Sequence, residues 1–282
     1  MRIGVQLPEV ERVVRRDELA AMARAAEQGG FDSVWVGDHL LYRGDGRPER
    51  GPWDCWSTLA WLAGITGRIR LGTTVLIVPY RHPLLIARMA ANLNDLSGGR
   101  LVLGVGSGWA RQEFDALGVP FQQRGKLTDD HLRAVRAAWA DQQDYRSGQI
   151  PIWVGGNSDA GLRRAVRLGE AWHPLRFTMP WMREAVPRMT AFADEQRRPV
   201  PGLVPRIALR LAGSPVAAPE RLAGEGTIDQ VLDDLAELRL LGADTVVLDP
   251  FSGDPSETLR PEDAWQALAT VWARTRHLRE QP

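Results

Sequence analysis

The sequence predicts an α/β protein built as a single (β/α)8 barrel of the TIM type. Strand and helix signals alternate from one end of the 282 residues to the other. The apolar runs are short and rich in β-branched residues, as buried parallel strands are. Roughly eight strand–helix units fill a length near the ~250 residues typical of such barrels. A doubly wound open sheet is the competing architecture, because local patterns do not reveal closure. No shift in composition, solenoid repeat or low-complexity tract divides the chain, so residues 1–282 read as one domain.

The elements follow in order. Ile3–Leu7 reads as a strand that stops at Pro8. Asp17 can cap a helix whose Leu19, Met22, Ala23 and Ala26 share one face, and Gly29-Gly30 ends it. A strand over Ser33–Val36 comes next, then a polar loop rich in glycine and arginine from Arg43 to Gly51. Asp54 can cap the helix WSTLAWLAGIT, and RLGTTVLIV has the composition of a buried strand. Ile86, Met89, Ala90 and Leu93 mark a helix closed by Gly98-Gly99, and Leu101–Val105 is again a strand. The amphipathic stretch Leu127–Trp139, the strand-like PIWVGG and the helix-like Asp159–Leu168 follow.

EAWHP predicts a brief strand, with a helix around Met182–Phe192. PVPGLVPR (199–206) is the most linker-like piece and crosses to a strand alternating over Ile207–Ala212. Thr227 and Gln230 form a capping-box pattern before Ile228, Val231, Leu232, Leu235 and Leu238. Gly242 ends that helix, TVVLD is a last strand, and Pro261 opens a final helix.

Composition excludes several functions. The 35 basic and 35 acidic residues cancel, which argues against nucleic acid or an anionic membrane as the main partner. The start MRIGVQLP lacks the apolar core of a signal peptide, and no stretch approaches the roughly 20 apolar residues that span a bilayer. The single cysteine, Cys55, sits between Trp53 and Trp56 and reads as a buried inert thiol. A reducing, cytoplasmic setting is expected. His39, His82, His131, His173 and His277 are scattered without ligand spacing, so no metal site is expected. A GxSxG elbow is absent, which leaves a hydrolase triad unsupported.

Strand ends carry the chemistry of a parallel barrel. Asp38 and His39 end the second strand, Thr73 and Thr74 lie near the end of the third, and Gly106, Ser107 and Gly108 end the fourth. Gly155, Gly156 and Asn157 end the fifth, and His173 the sixth. Asp38-His39 alone could be a capping or loop-anchoring pair; the convergence of polar residues and glycines at one mouth argues for a site. VGGNSDAGL runs a strand through two glycines into a helix, an arrangement that attracts a phosphate. GVGSGW matches a dinucleotide fingerprint only in part, so a Rossmann fold is not expected.

GFDSVWVGDHLL, RIRLGTTVLIVPYRHP, GRLVLGVGSGWARQEFDALGV and PIWVGGNSDAGLRRAVRLGEAWHP together resemble the luciferase-like monooxygenase superfamily, and most closely its coenzyme F420 (deazaflavin) branch. The resemblance covers nearly the whole chain in order and implies the same barrel. It implies a flavin-like ring in the barrel mouth, packed on a bulge at Thr73, Thr74 and Val75, with a non-proline cis peptide at Thr74–Val75. Asp38 would face the ring system and Gln112 its pyrimidine edge. Ser107, Gly155 and Gly156, with Asn157 beside them, match the phosphate-holding positions, and His39 the histidine beside the reactive carbon.

Two departures stand out. Trp109 replaces the acid that the sugar-phosphate dehydrogenase branch carries after its GxG turn, and ADQQDYRSGQI is shorter than the hairpin of many relatives. Trp53, Trp56 and Trp109 are therefore expected to form an aromatic substrate pocket. The expected function is F420-dependent hydride transfer to or from a small organic molecule, in a homodimer. The alternatives are an FMN-dependent monooxygenase fed by a separate reductase, and a non-catalytic flavin-binding protein on the same barrel.

Overall fold

The computed structural model describes residues 1–8, 15–40, 53–141, 150–217, 220–251 and 261–279. The chain opens with β1 (Arg2–Gln6), α1 (Arg16–Gly29), β2 (Ser33–Val36) and α2 (Cys55–Ile65). Next come β3 (Arg70–Thr73), β4 (Leu76–Ile77), a 3-10 turn over Val78–Tyr80, α3 (Pro83–Leu96) and β5 (Leu101–Gly106). The middle holds α4 (Arg111–Ala116), α5 (Arg124–Asp141), β6 (Ile152–Gly155), α6 (Asp159–Leu168), β7 (Ala171–His173) and α7 (Met179–Glu195). It ends with β8 (Gly202–Leu203), β9 (Arg206–Ala208), β10 (Arg210–Leu211), β11 (Glu225–Gly226), α8 (Ile228–Leu240), β12 (Thr245–Asp249), α9 (Pro261–Arg274) and α10 (Arg276–Arg279).

The main sheet is parallel and curled, in the order β8-β7-β6-β5-β3-β2-β1-β12-β9, with β4 also on β5. Strands sit beside their neighbours in sequence, and the late strand β12 pairs with β1 in the register Ile3↔Val246. A doubly wound sheet would instead reverse its strand order at a switch point. That competitor is ruled out. β10 and β11 form a separate two-stranded ribbon.

Several boundaries differ from the sequence reading for physical reasons. RLGTTVLIV is two strands, β3 and β4, with the Thr74–Val75 peptide, which is cis, lying between them. The cap of α1 is Arg15, with extended φ and ψ and no side-chain bond, while Asp17 lies in the first turn and takes Arg16. The linker-like PVPGLVPR contains β8, and the expected strand over Ile207–Ala212 divides into β9 and β10. Other signals hold. Asp54 accepts Ser57 N–H, Thr227 and Gln230 form the reciprocal capping box, and Gly30 turns left-handed (φ 86°) after α1. The loop Arg43–Gly51 lies outside the described residues, as does most of the short segment after Trp139.

Alternate residues of a strand face opposite sides. On β2, Val34 and Val36 join the apolar layer under the helices, while Trp35 joins Val102, Trp153, Ala171, Val204 and Val247 in a second, interior cluster. Neighbouring strands make room for its indole with glycine. A Cβ on Gly72 would lie 2.2 Å from the Trp35 ring, and one on Gly4 2.6 Å from its Nε1. Trp35 stacks on Trp153 at 4.9 Å and on His173 at 5.5 Å. This filled interior places the cleft where the strands end.

Candidate functional site

A cleft of about 300 Å³ lies at the carboxyl ends of the strands. Its walls include His39 after β2, Thr74 and Val75 between β3 and β4, Gly106, Ser107, Gly108 and Trp109 after β5, and Gly155 and Gly156 after β6. Thus five separate strand ends anticipated from sequence meet, counting the sixth-strand His173 that touches Thr74 from below.

The glycines shape the floor. A Cβ on Gly106 would lie 2.5 Å from the Val75 side chain, and one on Gly155 3.0 Å from it. Gly108 (φ 74°) and Gly156 (φ 114°) hold backbone angles that side chains resist. The result is a smooth cradle of backbone around Val75, suited to a flat ring system and its attached phosphate. Ser158 caps α6 by accepting Gly161 N–H, so the last glycine turn leads straight into a helix start.

Asp38 is committed within the protein. Its carboxylate takes both Arg81 guanidinium nitrogens at 2.6 Å, Ile77 N–H at 2.8 Å and the Cys55 thiol at 3.2 Å. Burial raises its carboxyl above the ordinary value, against the pull of Arg81. Cys55 is buried, and burial pushes its thiol well up. Asp38 thereby ties the end of β2 to β4, on the far side of the bulge.

Thr74 is held just as firmly. His173 lies at 2.6 Å from the Val204 carbonyl through Nδ1, which must therefore carry the proton. Its Nε2 is then the acceptor for the Thr74 hydroxyl at 2.9 Å. Arg206 donates to the Thr74 carbonyl at 3.0 Å and is itself paired with Asp249. Thr73 turns away from the cleft and donates to the Gly104 carbonyl at 2.7 Å. Asn157 is outside the cleft lining and braces Leu175, donating to its carbonyl at 2.7 Å and accepting its N–H at 3.3 Å.

His39 stands with Trp109, their rings edge to face at 5.4 Å. Its Nδ1 lies 3.0 Å from Glu113 Oε2. Glu113 is almost wholly buried and also accepts Leu40 N–H at 2.8 Å and the Tyr80 hydroxyl at 2.6 Å. Gln112, one residue earlier on α4, points outward and is exposed. Of the three expected pocket tryptophans only Trp109 lines the cleft; Trp56 is in the apolar core and Trp53 is half exposed. Helical geometry explains the outward turn of Gln112 beside the buried Glu113, since neighbours on a helix face different ways.

Glu113, Tyr80, Arg206 and Asp249 are the residues that sequence reasoning passed over. Asp249 had a usable signal, an acid ending the last strand just as Asp38 ends the second. No group of three His, Cys, Asp or Glu side chains that could hold a metal occurs among the described residues. No helix among them is long and apolar enough to cross a membrane.

The luciferase-like monooxygenase family model matches residues 1–221. The chain belongs to this family. Among its relatives, the 5,10-methylenetetrahydromethanopterin reductase of Methanolobus tindarius is 30% identical over 197 residues, 63% of this chain and 56% of that protein. The F420-dependent glucose-6-phosphate dehydrogenase of Amycolatopsis mediterranei is 37% identical over 179 residues, 55% of this chain and 52% of that one. The matches thus span little more than half the length of these luciferase-like relatives. A solved F420-dependent secondary alcohol dehydrogenase, in complex with an F420-acetone adduct, superposes with a TM-score of 0.74 at 16% identity, covering 96% of this chain and 98% of its own. That likeness is one of fold.

Proposed function

We propose that this protein is a coenzyme F420-dependent oxidoreductase that transfers a hydride between the deazaflavin and a small organic substrate. One observation carries the reading: a glycine-lined floor around Val75 shares a single cleft with His39. A relative named as F420-dependent, the glucose-6-phosphate dehydrogenase above, supports the choice of cofactor. The sheet is read as a (β/α)8 barrel, supported by β8 and β9, the two ends of its strand order, being adjacent pieces of one stretch of chain.

Bound F420 would supply the carbon that gives or takes the hydride. The protein's own residues do the rest. Val75 backs the ring, and Ser107, Gly155 and Gly156 hold the phosphate near the start of α6. Asp38, Thr73, Thr74 and Asn157 keep these walls in place through the bonds described above. His39 exchanges the proton that accompanies hydride transfer at a polar carbon. Trp109, with Leu7 and Phe251 also on the lining, gives the substrate an apolar face.

The same floor would accept FMN, with reduced flavin from a separate reductase, as in a monooxygenase. Titration of the purified protein with F420 and with FMN separates the two, and tighter binding of FMN would displace the first reading. His39→Ala should lower turnover by at least about 10² while F420 affinity barely changes. Full turnover in that variant would make His39 a packing residue; binding without turnover of any alcohol or enone tested would favour a non-catalytic flavin-binding protein.

A homodimer is part of the proposal. The apolar helix α2 exposes Ala60 and Gly64, and α3 exposes Leu84 and Leu85, a surface suited to a second copy. Sedimentation equilibrium tests it, and a monomer at micromolar concentration would refute it. A cytoplasmic setting accords with the one buried thiol, Cys55.

A further inference from the structure

Glu113 makes contacts that packing does not require. It is a carboxylate only 1% exposed, reached from a short helix, and among the described residues its oxygens meet partners from three other segments. Oε1 accepts Leu40 N–H; Oε2 accepts the Tyr80 hydroxyl and lies 3.0 Å from His39 Nδ1. Burial, and the carboxylate beside it, push the Tyr80 phenol up, so Tyr80 stays protonated and donates. With two donors already fixed on it, Glu113 acts as an acceptor toward the imidazole as well.

We infer that Glu113 is the positioning residue for His39: it holds the proton on Nδ1 and thereby makes Nε2 the atom through which a proton passes to or from the reactant. This rests on the proposed role of His39 and adds to it a fixed tautomer, with Tyr80 and Leu40 as the supports that aim the carboxylate. The chemical logic is that of any imidazole base backed by a carboxylate, in which orientation and tautomer are set together.

Glu113→Gln tests this sharply. Leu40 N–H can only donate, so the amide oxygen must stay on it. Tyr80 can turn its hydroxyl, and the amide NH2 then faces His39 Nδ1. A neutral imidazole must meet that donor with a lone pair, which moves its proton to Nε2. The primary measurement is the 15N spectrum of imidazole-labelled protein, without cofactor, at a pH where the ring is neutral. The parent should show His39 protonated at Nδ1, and Glu113→Gln should show it protonated at Nε2. In steady state, with F420 and a secondary alcohol or enone that the parent turns over, Glu113→Gln should lower kcat about 100-fold or more. Its F420 affinity should stay within about threefold, and Tyr80→Phe should retain the parental tautomer.

A parental His39 protonated at Nε2, or the same tautomer in parent and Glu113→Gln, overturns the inference, and the parental spectrum decides it even if the variant fails to fold. Full turnover in His39→Ala with the expected tautomers would sink the role of His39 and leave the Glu113 contact as structure alone.

Discussion

His173 lies wholly buried within the curled sheet, and that burial makes the protein's stability depend on pH. Desolvation lowers its pKa from 6.5 to about 4, with a smaller push from Arg206 and an opposing pull from the Val204 carbonyl. The folded protein therefore keeps a neutral ring where the unfolded chain would bind a proton. The sign follows from linkage. A group whose folded pKa is lowered takes up protons preferentially on unfolding, so stability is full above pH 6.5 and is lost as pH falls toward 4. Each pH unit within that window costs about 1.4 kcal/mol, giving roughly 2 kcal/mol between pH 7 and pH 5 and about 3 kcal/mol by pH 4.

The ring has no exposed surface, so solvent does not screen it. Urea denaturation at pH 7, 6, 5 and 4.5 reads the slope directly. His173→Asn is the control, because its amide can still donate to Val204 while carrying no titratable proton. That variant should be less stable at pH 7, by about 1–3 kcal/mol for the acceptor that Thr74 loses, but its stability should fall less steeply with acid. Equal slopes in parent and variant, or an NMR titration of His173 near its ordinary value, would refute the reasoning.

Two other outcomes follow from the site. Ser158→Asp keeps an equally good helix cap and so leaves stability unchanged, but it sets a negative charge where the cofactor phosphate is proposed; isothermal titration should show F420 bound more than tenfold weaker, about 1.4 kcal/mol, and unaltered affinity would remove the phosphate from this helix start. Asp38→Ala removes both short contacts to the largely buried Arg81 guanidinium, leaving it Asp54 at 3.6 Å, and should cost about 3 kcal/mol or less in chemical denaturation, whereas a loss of F420 affinity with parental stability would show that Asp38, which lines the cleft, serves the cofactor directly.

The sequence by itself determined the succession of strands and helices, the helix caps at Asp54 and Thr227, and the gathering of glycines and polar residues at strand ends. Those signals are local: a turn residue, a cap or a β-branched run acts through its immediate neighbours, so a short window contains them. It also marked His39 and the glycine pair Gly155-Gly156, since a parallel sheet presents its strand ends on one side whatever lies between. The three-dimensional arrangement decided what each side chain touches.

Asp38 and Arg81 are 43 residues apart and Thr74 and Arg206 132, so their pairing is invisible until the sheet curls and brings those strand ends together. Gln112 and Glu113 differ by one position on a short helix, and only the rotation of that helix against His39 sends the glutamate inward and the glutamine to solvent. Trp56 and Trp109 look alike in sequence, yet one fills the layer under α2 while the other walls the cleft. Composition constrains which residues can be buried; the register of packing between distant elements chooses which face a site.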